Sequence, residues 1–124
     1  MYSFPGAAPI GSVIQWAKSL SNTPSLPDEF VECNGQTLTD SQSPYHTQVI
    51  PDLNGNTGSQ RFLRGSTSSG ATGGVETHRH VACPTNVQPY GEAISTALFC
   101  PIYTLNYESN LPQYYTVVNV LRIK

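Results

Sequence analysis

Between Ile50 and His80 the chain reads IPDLNGNTGSQRFLRGSTSSGATGGVETHRH, a run of turn-forming residues in which Leu53, Phe62, Leu63 and Val75 are the main apolar side chains after the first. Glycine, serine, threonine and asparagine here favour turns over ladders or helices. A stretch of this length and composition builds no core of its own. Loops longer than about 15 residues are uncommon in compact domains unless they are functional or ordered by a partner. The expectation is that those four side chains anchor it to structure supplied from elsewhere.

With 124 residues the chain is a small single domain: an extended arm over 1–10 followed by one body over 11–124. A domain of this size buries roughly two-thirds of its unfolded surface. So much loop implies an extra source of stability, whether a disulfide, a metal or burial against copies of itself. Only 11% of residues are charged and the formal charge is −2, with two lysines, Lys18 and Lys124. That leaves no basic stripe for phosphates and argues against a nucleic-acid partner. Seven Tyr, four Phe and one Trp argue against a disordered tail.

No apolar run is long enough to cross a membrane as a helix, so no membrane insertion is expected. MYSFPGAAPIGS lacks the basic and apolar regions of a signal peptide. Cys33, Cys83 and Cys100 match no zinc-ligand spacing. A Cys83–Cys100 bridge would contribute about 3 kcal/mol on the chain-entropy model, and two buried free thiols fit the sequence equally well.

In chain order, MYSFPGAAP has two prolines and no periodicity and reads as the arm, with Tyr2, Phe4 and Pro5 as its candidate assembly residues. Val13, Ile14 and Trp16 favour a strand. Phe30–Cys33 predicts a second strand, stopped by Asn34-Gly35 and returning through Gln36–Leu38 as a hairpin. Residues 39–49 are polar, with room for one helical turn. VETHRHVA, 75–82, alternates as a strand with Glu76, His78 and His80 on one face. YYTVVNVLRI, 114–123, has the strongest β signal and predicts a core strand. The fold class is therefore mainly β, with long irregular loops and little helix.

Five landmarks occur in order: GSVIQWA, ECNGQTL, Pro-Asp-Leu, Arg-Phe-Leu-Arg-Gly, and Gly-Gly leading to His-x-His; the chain closes with ESNLPQYYTVVNVLRIK. Together they resemble the phage tail-collar domain of short tail fibres and related fibre tips, over about Gly11 to Lys124. The resemblance implies a small collar-like domain, intertwined as a homo-oligomer and carried on a virion tail or extracellular fibre. Fibre proteins of that kind have a stalk ahead of this module. Only ten residues precede it here, so another polypeptide is expected to supply the shaft, or the chain is not a conventional tip.

Imidazoles at i and i+2 of a strand share a face about 6.5 to 7 Å apart and are ligands of the type zinc and iron prefer. Two are too few for a stable site. Three copies on a threefold axis would bring six nitrogens from His78 and His80, a set suited to an octahedral ion. The trimeric fibres this chain resembles use His-x-His in that way, which implies one iron or zinc ion per trimer. On spacing alone, the two read as polar residues of a solvated strand beside Glu76 and Arg79, and it is the resemblance that brings the metal reading level with this one.

Aromatic residues crowd the last third, and Tyr90, Tyr103 and Tyr107 are the candidate receptor contacts, because a tyrosine ring binds apolar surface while its hydroxyl stays wet. Packing in a core or subunit interface is the alternative for each. Arg61 and Arg64 are expected to hold loop carbonyls or a carboxylate such as Asp52. No GxSxG, His-Glu-x-x-His or phosphate-binding glycine loop occurs, so no enzyme is expected. Two function classes follow. One is a trimeric collar or tip module contacting a cell-surface glycan or protein. The other is a self-assembling subunit of an extracellular or virion-derived filament, joined through the N-terminal arm.

Overall fold

The computed structural model of the chain describes residues 8–82, 103–104 and 106–124. It is mainly β, with seven short strands: β1 (Val13–Trp16), β2 (Phe30–Glu32), β3 (Thr77–His78), β4 (Val81–Ala82), β5 (Tyr103–Thr104), β6 (Glu108–Ser109) and β7 (Val118–Arg122). Among the described residues there is no helix, and so none long and apolar enough to cross a membrane. The chain forms two units, Met1–Ala71 with Tyr115–Lys124, and Thr72–Tyr114.

The first unit is built on a three-stranded antiparallel sheet in the order β1-β7-β2. Val13 pairs with Leu121 and Trp16 with Val118 on one side of β7, and Phe30 with Arg122 and Glu32 with Val120 on the other. The central place of β7 follows from its sequence, since Val120 and Leu121 are buried and a strand paired on both sides has the least solvent to face. The core gathers Cys33, Leu38, Ile50, Leu121 and Ile123, with Val31, Tyr45 and Leu53 packed against it. Burial in this apolar cluster pushes the Cys33 thiol up to about 11, so it is an inert packing group.

Three local expectations are corrected. Asn34-Gly35 makes a turn, with Gly35 at φ +80°, but no hairpin returns along β2. Instead Asn34 bridges Asp52 and Thr37 bridges Val49, because Leu38 and Ile50 meet in the core only if that segment pairs with 48–50. Residues 40–48 hold three successive tight turns, closed by Ser43 N to Asp40 O, His46 N to Ser43 O and Gln48 N to Tyr45 O, where a helical turn was expected. The C-terminal strand begins at Val118 and not at Tyr114, since β1 offers no partner beyond Trp16.

The segment after Leu53 keeps to the surface. Side chains of residues 56–80 are all exposed, including Phe62 (70%) and Val75 (78%). Of the four expected anchors only Leu53 reaches the core. Phe62, Leu63 and Val75 find no cover within the described chain, because the segment has too few apolar groups to fold back on itself.

Asp52 organises the start of this segment. Its carboxylate accepts hydrogen bonds from Asn56 N (2.9 Å), Thr57 N (2.7 Å) and Thr57 Oγ1 (2.7 Å). These donors, Thr57 first, hold the carboxyl below the usual aspartate range. Asp52 is thereby occupied, and the expected Arg61 or Arg64 contact is replaced by local backbone donors.

Candidate functional site

The second unit carries the histidine pair. Its described ladders are β3 with β6, where Thr77 faces Ser109 and His78 faces Glu108, and β4 with β5, where Val81 faces Thr104 and Ala82 faces Tyr103. The register slips between them: three residues separate Thr104 from β6, against two separating His78 from β4. One extra residue on one strand is the count of a β-bulge, and it interrupts pairing at its own level. The single alternating strand expected over 75–82 is therefore two short ones, with Arg79 and His80 unpaired between them.

Asn110 fixes the outer end of this ladder. Its backbone N–H donates to Glu76 O at 2.8 Å and its side-chain amide to Val75 O at 3.3 Å. Ser109 Oγ accepts from Leu111 N at 3.1 Å and turns the chain away. The ESNLP motif thus acts as the clamp that sets His78 in place. Its polar turn residues were visible in the sequence, but their partner strand was not.

His78 and His80 come together although His80 lies outside β3. Their Nε2 atoms lie 3.0 Å apart, with ring centroids 4.8 Å apart and planes at 86°. At that distance the two rings can share one hydrogen bond, with the donor set by the tautomers. Both residues are exposed, so the pair is open to solvent.

Two imidazole nitrogens are a donor type that zinc and iron accept. With metal–nitrogen bonds of about 2.1 Å, two ligands at right angles are ~3.0 Å apart and two at the tetrahedral angle ~3.4 Å apart. The observed separation matches the right-angled arrangement. Among the described residues no third histidine, cysteine or carboxylate completes a group of three. One chain supplies two ligands.

Between the histidines, Arg79 places its guanidinium carbon 5.7 Å from the centre of the Tyr107 ring, within reach of a cation–π contact. Tyr107 is 66% exposed, so most of its surface stays open beside that contact. Of the other candidate receptor residues, the backbone of Tyr103 lies in β5, and Tyr90 lies outside the described residues. Tyr2, Phe4 and Pro5 of the arm also lie outside them, as do Cys83 and Cys100.

Comparison with family models, curated sequences and solved structures finds no match.

Proposed function

We propose that the protein is a structural and binding module of a phage-like tail fibre or appendage, a homotrimer whose collar or tip meets a cell-surface glycan or protein. The observation that carries this reading is the convergence of His78 and His80 Nε2 at 3.0 Å on an exposed ladder. An exposed pair with this spacing would be half or less of a coordination sphere. Three copies around an axis would complete it with six imidazole nitrogens, each chain giving one ligand to each of two layers. An iron or zinc ion there would be structural: it would tie three chains together at a level where each has little apolar packing of its own.

The exposed apolar groups support the same reading. Phe62, Leu63, Val75 and Tyr114 are each more than half exposed in a single chain, and association of copies is the economical way to cover them. Arg79 and Tyr107 are then the candidate contact surface. A ring braced on one face by a guanidinium presents a rigid apolar face and a free hydroxyl, a combination suited to sugar rings.

The test is binding of the purified assembly to whole cells and to a glycan array. Wild type is expected to bind a restricted set of surfaces. Tyr107→Ala should lose that binding while keeping the oligomeric state of wild type. Equal binding by Tyr107→Ala and wild type would remove Tyr107 from the surface, and absence of any binding would remove the receptor role.

A further inference from the structure

Among the described residues, the sheet of the first unit has an open edge, β1, which pairs with β7 on one side only. Arg122 N donates to Ser12 O, which makes Ser12 and Arg122 a hydrogen-bonded pair; in the same register Ile14–Val120 and Trp16–Val118 are the bonded pairs that follow. The peptide groups of Val13 and Gln15 therefore point away from β7. The other edge of β7 obeys the same alternation, because Cys33 N donates to Asn119 O and Ile123 N to Glu29 O.

Nothing in VIQW protects this edge. Open edges are usually blunted by lysine, proline, a bulge or a covering segment. The four residues include no charge and no proline, and Val13 (36% exposed) and Ile14 (42% exposed) keep apolar surface on both faces. Lys18, two residues beyond β1, is engaged with Glu32 at 2.5 Å.

The sequence holds one segment matched to it. Residues 1–4, Met-Tyr-Ser-Phe, are uncharged, alternate apolar and polar over 2–4, and are ended as a strand by Pro5. The first described residue, Ala8, has its carbonyl accepting from Arg122 Nη1, and Arg122 pairs with the Ser12 that precedes β1. Seven extended residues reach about 23 Å, and a four-residue strand spans about 13 Å.

We propose that residues 1–4 of one copy add as a strand to the β1 edge of a second copy, bonding the outward peptide groups of Val13 and Gln15. The contact is heterologous, arm to edge. It closes when copies are related by rotation about one axis and extends into a filament when they are not. It uses the first unit alone and does not depend on the histidine pair.

The experiment is amide hydrogen exchange on the full chain, followed at Val13 and Gln15 over a dilution series, with sedimentation of the same samples. Both amides should be protected in the assembled protein and lose protection on dilution. The arm variant Tyr2→Pro/Ser3→Pro removes a donor on the bonding side in either register. It should lose Val13 and Gln15 protection and sediment as a smaller species, with protection of Val120 and Leu121 unchanged. Gln15→Pro, which removes the outward N–H at that position, should give the same loss of Val13 protection and the same smaller species. Free exchange at Val13 and Gln15 in concentrated wild type would overturn the proposal. So would protection that persists in monomers at high dilution, which would mean that the arm folds onto its own edge. In His78→Ala/His80→Ala the protection should remain.

Discussion

Asn54 and Asn119 exchange two hydrogen bonds: Asn54 Nδ2 donates to Asn119 O at 3.0 Å, and Asn119 N donates to Asn54 Oδ1 at 2.7 Å. A side-chain amide here takes the place of a strand. β2 ends at Glu32, and although Cys33 N still donates to Asn119 O, the Cys33 carbonyl turns to accept from Leu53 N and Asn54 N, so Asn119 N–H would lose its ladder acceptor. Asn54 restores it and ties the start of the long surface segment to the sheet. Asn54→Ala leaves the Asn119 N–H without its acceptor, at a cost of about 1–3 kcal/mol. Thermal unfolding should show Tm lowered by several degrees, and an unchanged Tm would contradict this role.

Acid should loosen the same corner. The folded carboxyl of Asp52 is held down by the Thr57 and Asn56 donors, and that of Asp40 first by Lys124 Nζ at 2.7 Å and then by Gln42 N–H. A carboxyl whose folded value is depressed binds fewer protons folded than unfolded through the titration range. Its contribution is full above the ordinary aspartate range and is lost as pH falls through the depressed folded values. Denaturant midpoints should therefore fall as pH is lowered below about 4. Asp52→Asn should flatten that dependence, and an equally steep fall in Asp52→Asn would exclude Asp52 as a source.

Two glycines at positive φ differ in how much room they have. A side chain at Gly55 (φ +77°) would meet the Gln60 backbone nitrogen at 2.8 Å, whereas at Gly35 (φ +80°) the nearest atom is Asp52 Cβ at 3.4 Å. Backbone strain is common to both, but collision with main chain is confined to Gly55. Gly55→Ala should cost more than ~1 kcal/mol and more than Gly35→Ala, measured by urea unfolding.

Ile50 and Phe62 separate the fold from the assembly. Ile50 is 1% exposed in the core, so Ile50→Ala should cost about 2–5 kcal/mol, a large share of a small domain's stability. Phe62 is 70% exposed, and Phe62→Ala should leave monomer unfolding within about 0.5 kcal/mol of wild type while weakening association. Sedimentation and denaturation together read both effects.

Much of the sheet was legible because strand periodicity survives in short segments: VIQW and VNVLR announce themselves, and both lie where their pattern puts them. The extent of β7 was not legible. Residues 114–117 are as β-prone as those that follow, and only the ends of β1 and β2 decide where pairing stops. Asn34-Gly35 misled for a related reason, since a turn signal is local and the choice of partner after it is made by burial of Leu38 and Ile50. In the second unit, the i, i+2 spacing placed His78 and His80 together. The break beside them comes from the extra residue between Thr104 and Glu108, which nothing within VETHRHVA records.

The most direct measurement is native mass spectrometry of the intact protein, with metal content determined on the same sample. The account predicts a species of three chains holding one iron or zinc ion, and loss of that ion in His78→Ala/His80→Ala. Metal-free wild type whose mass distribution is identical to that of the double variant, before and after addition of iron or zinc, would contradict it.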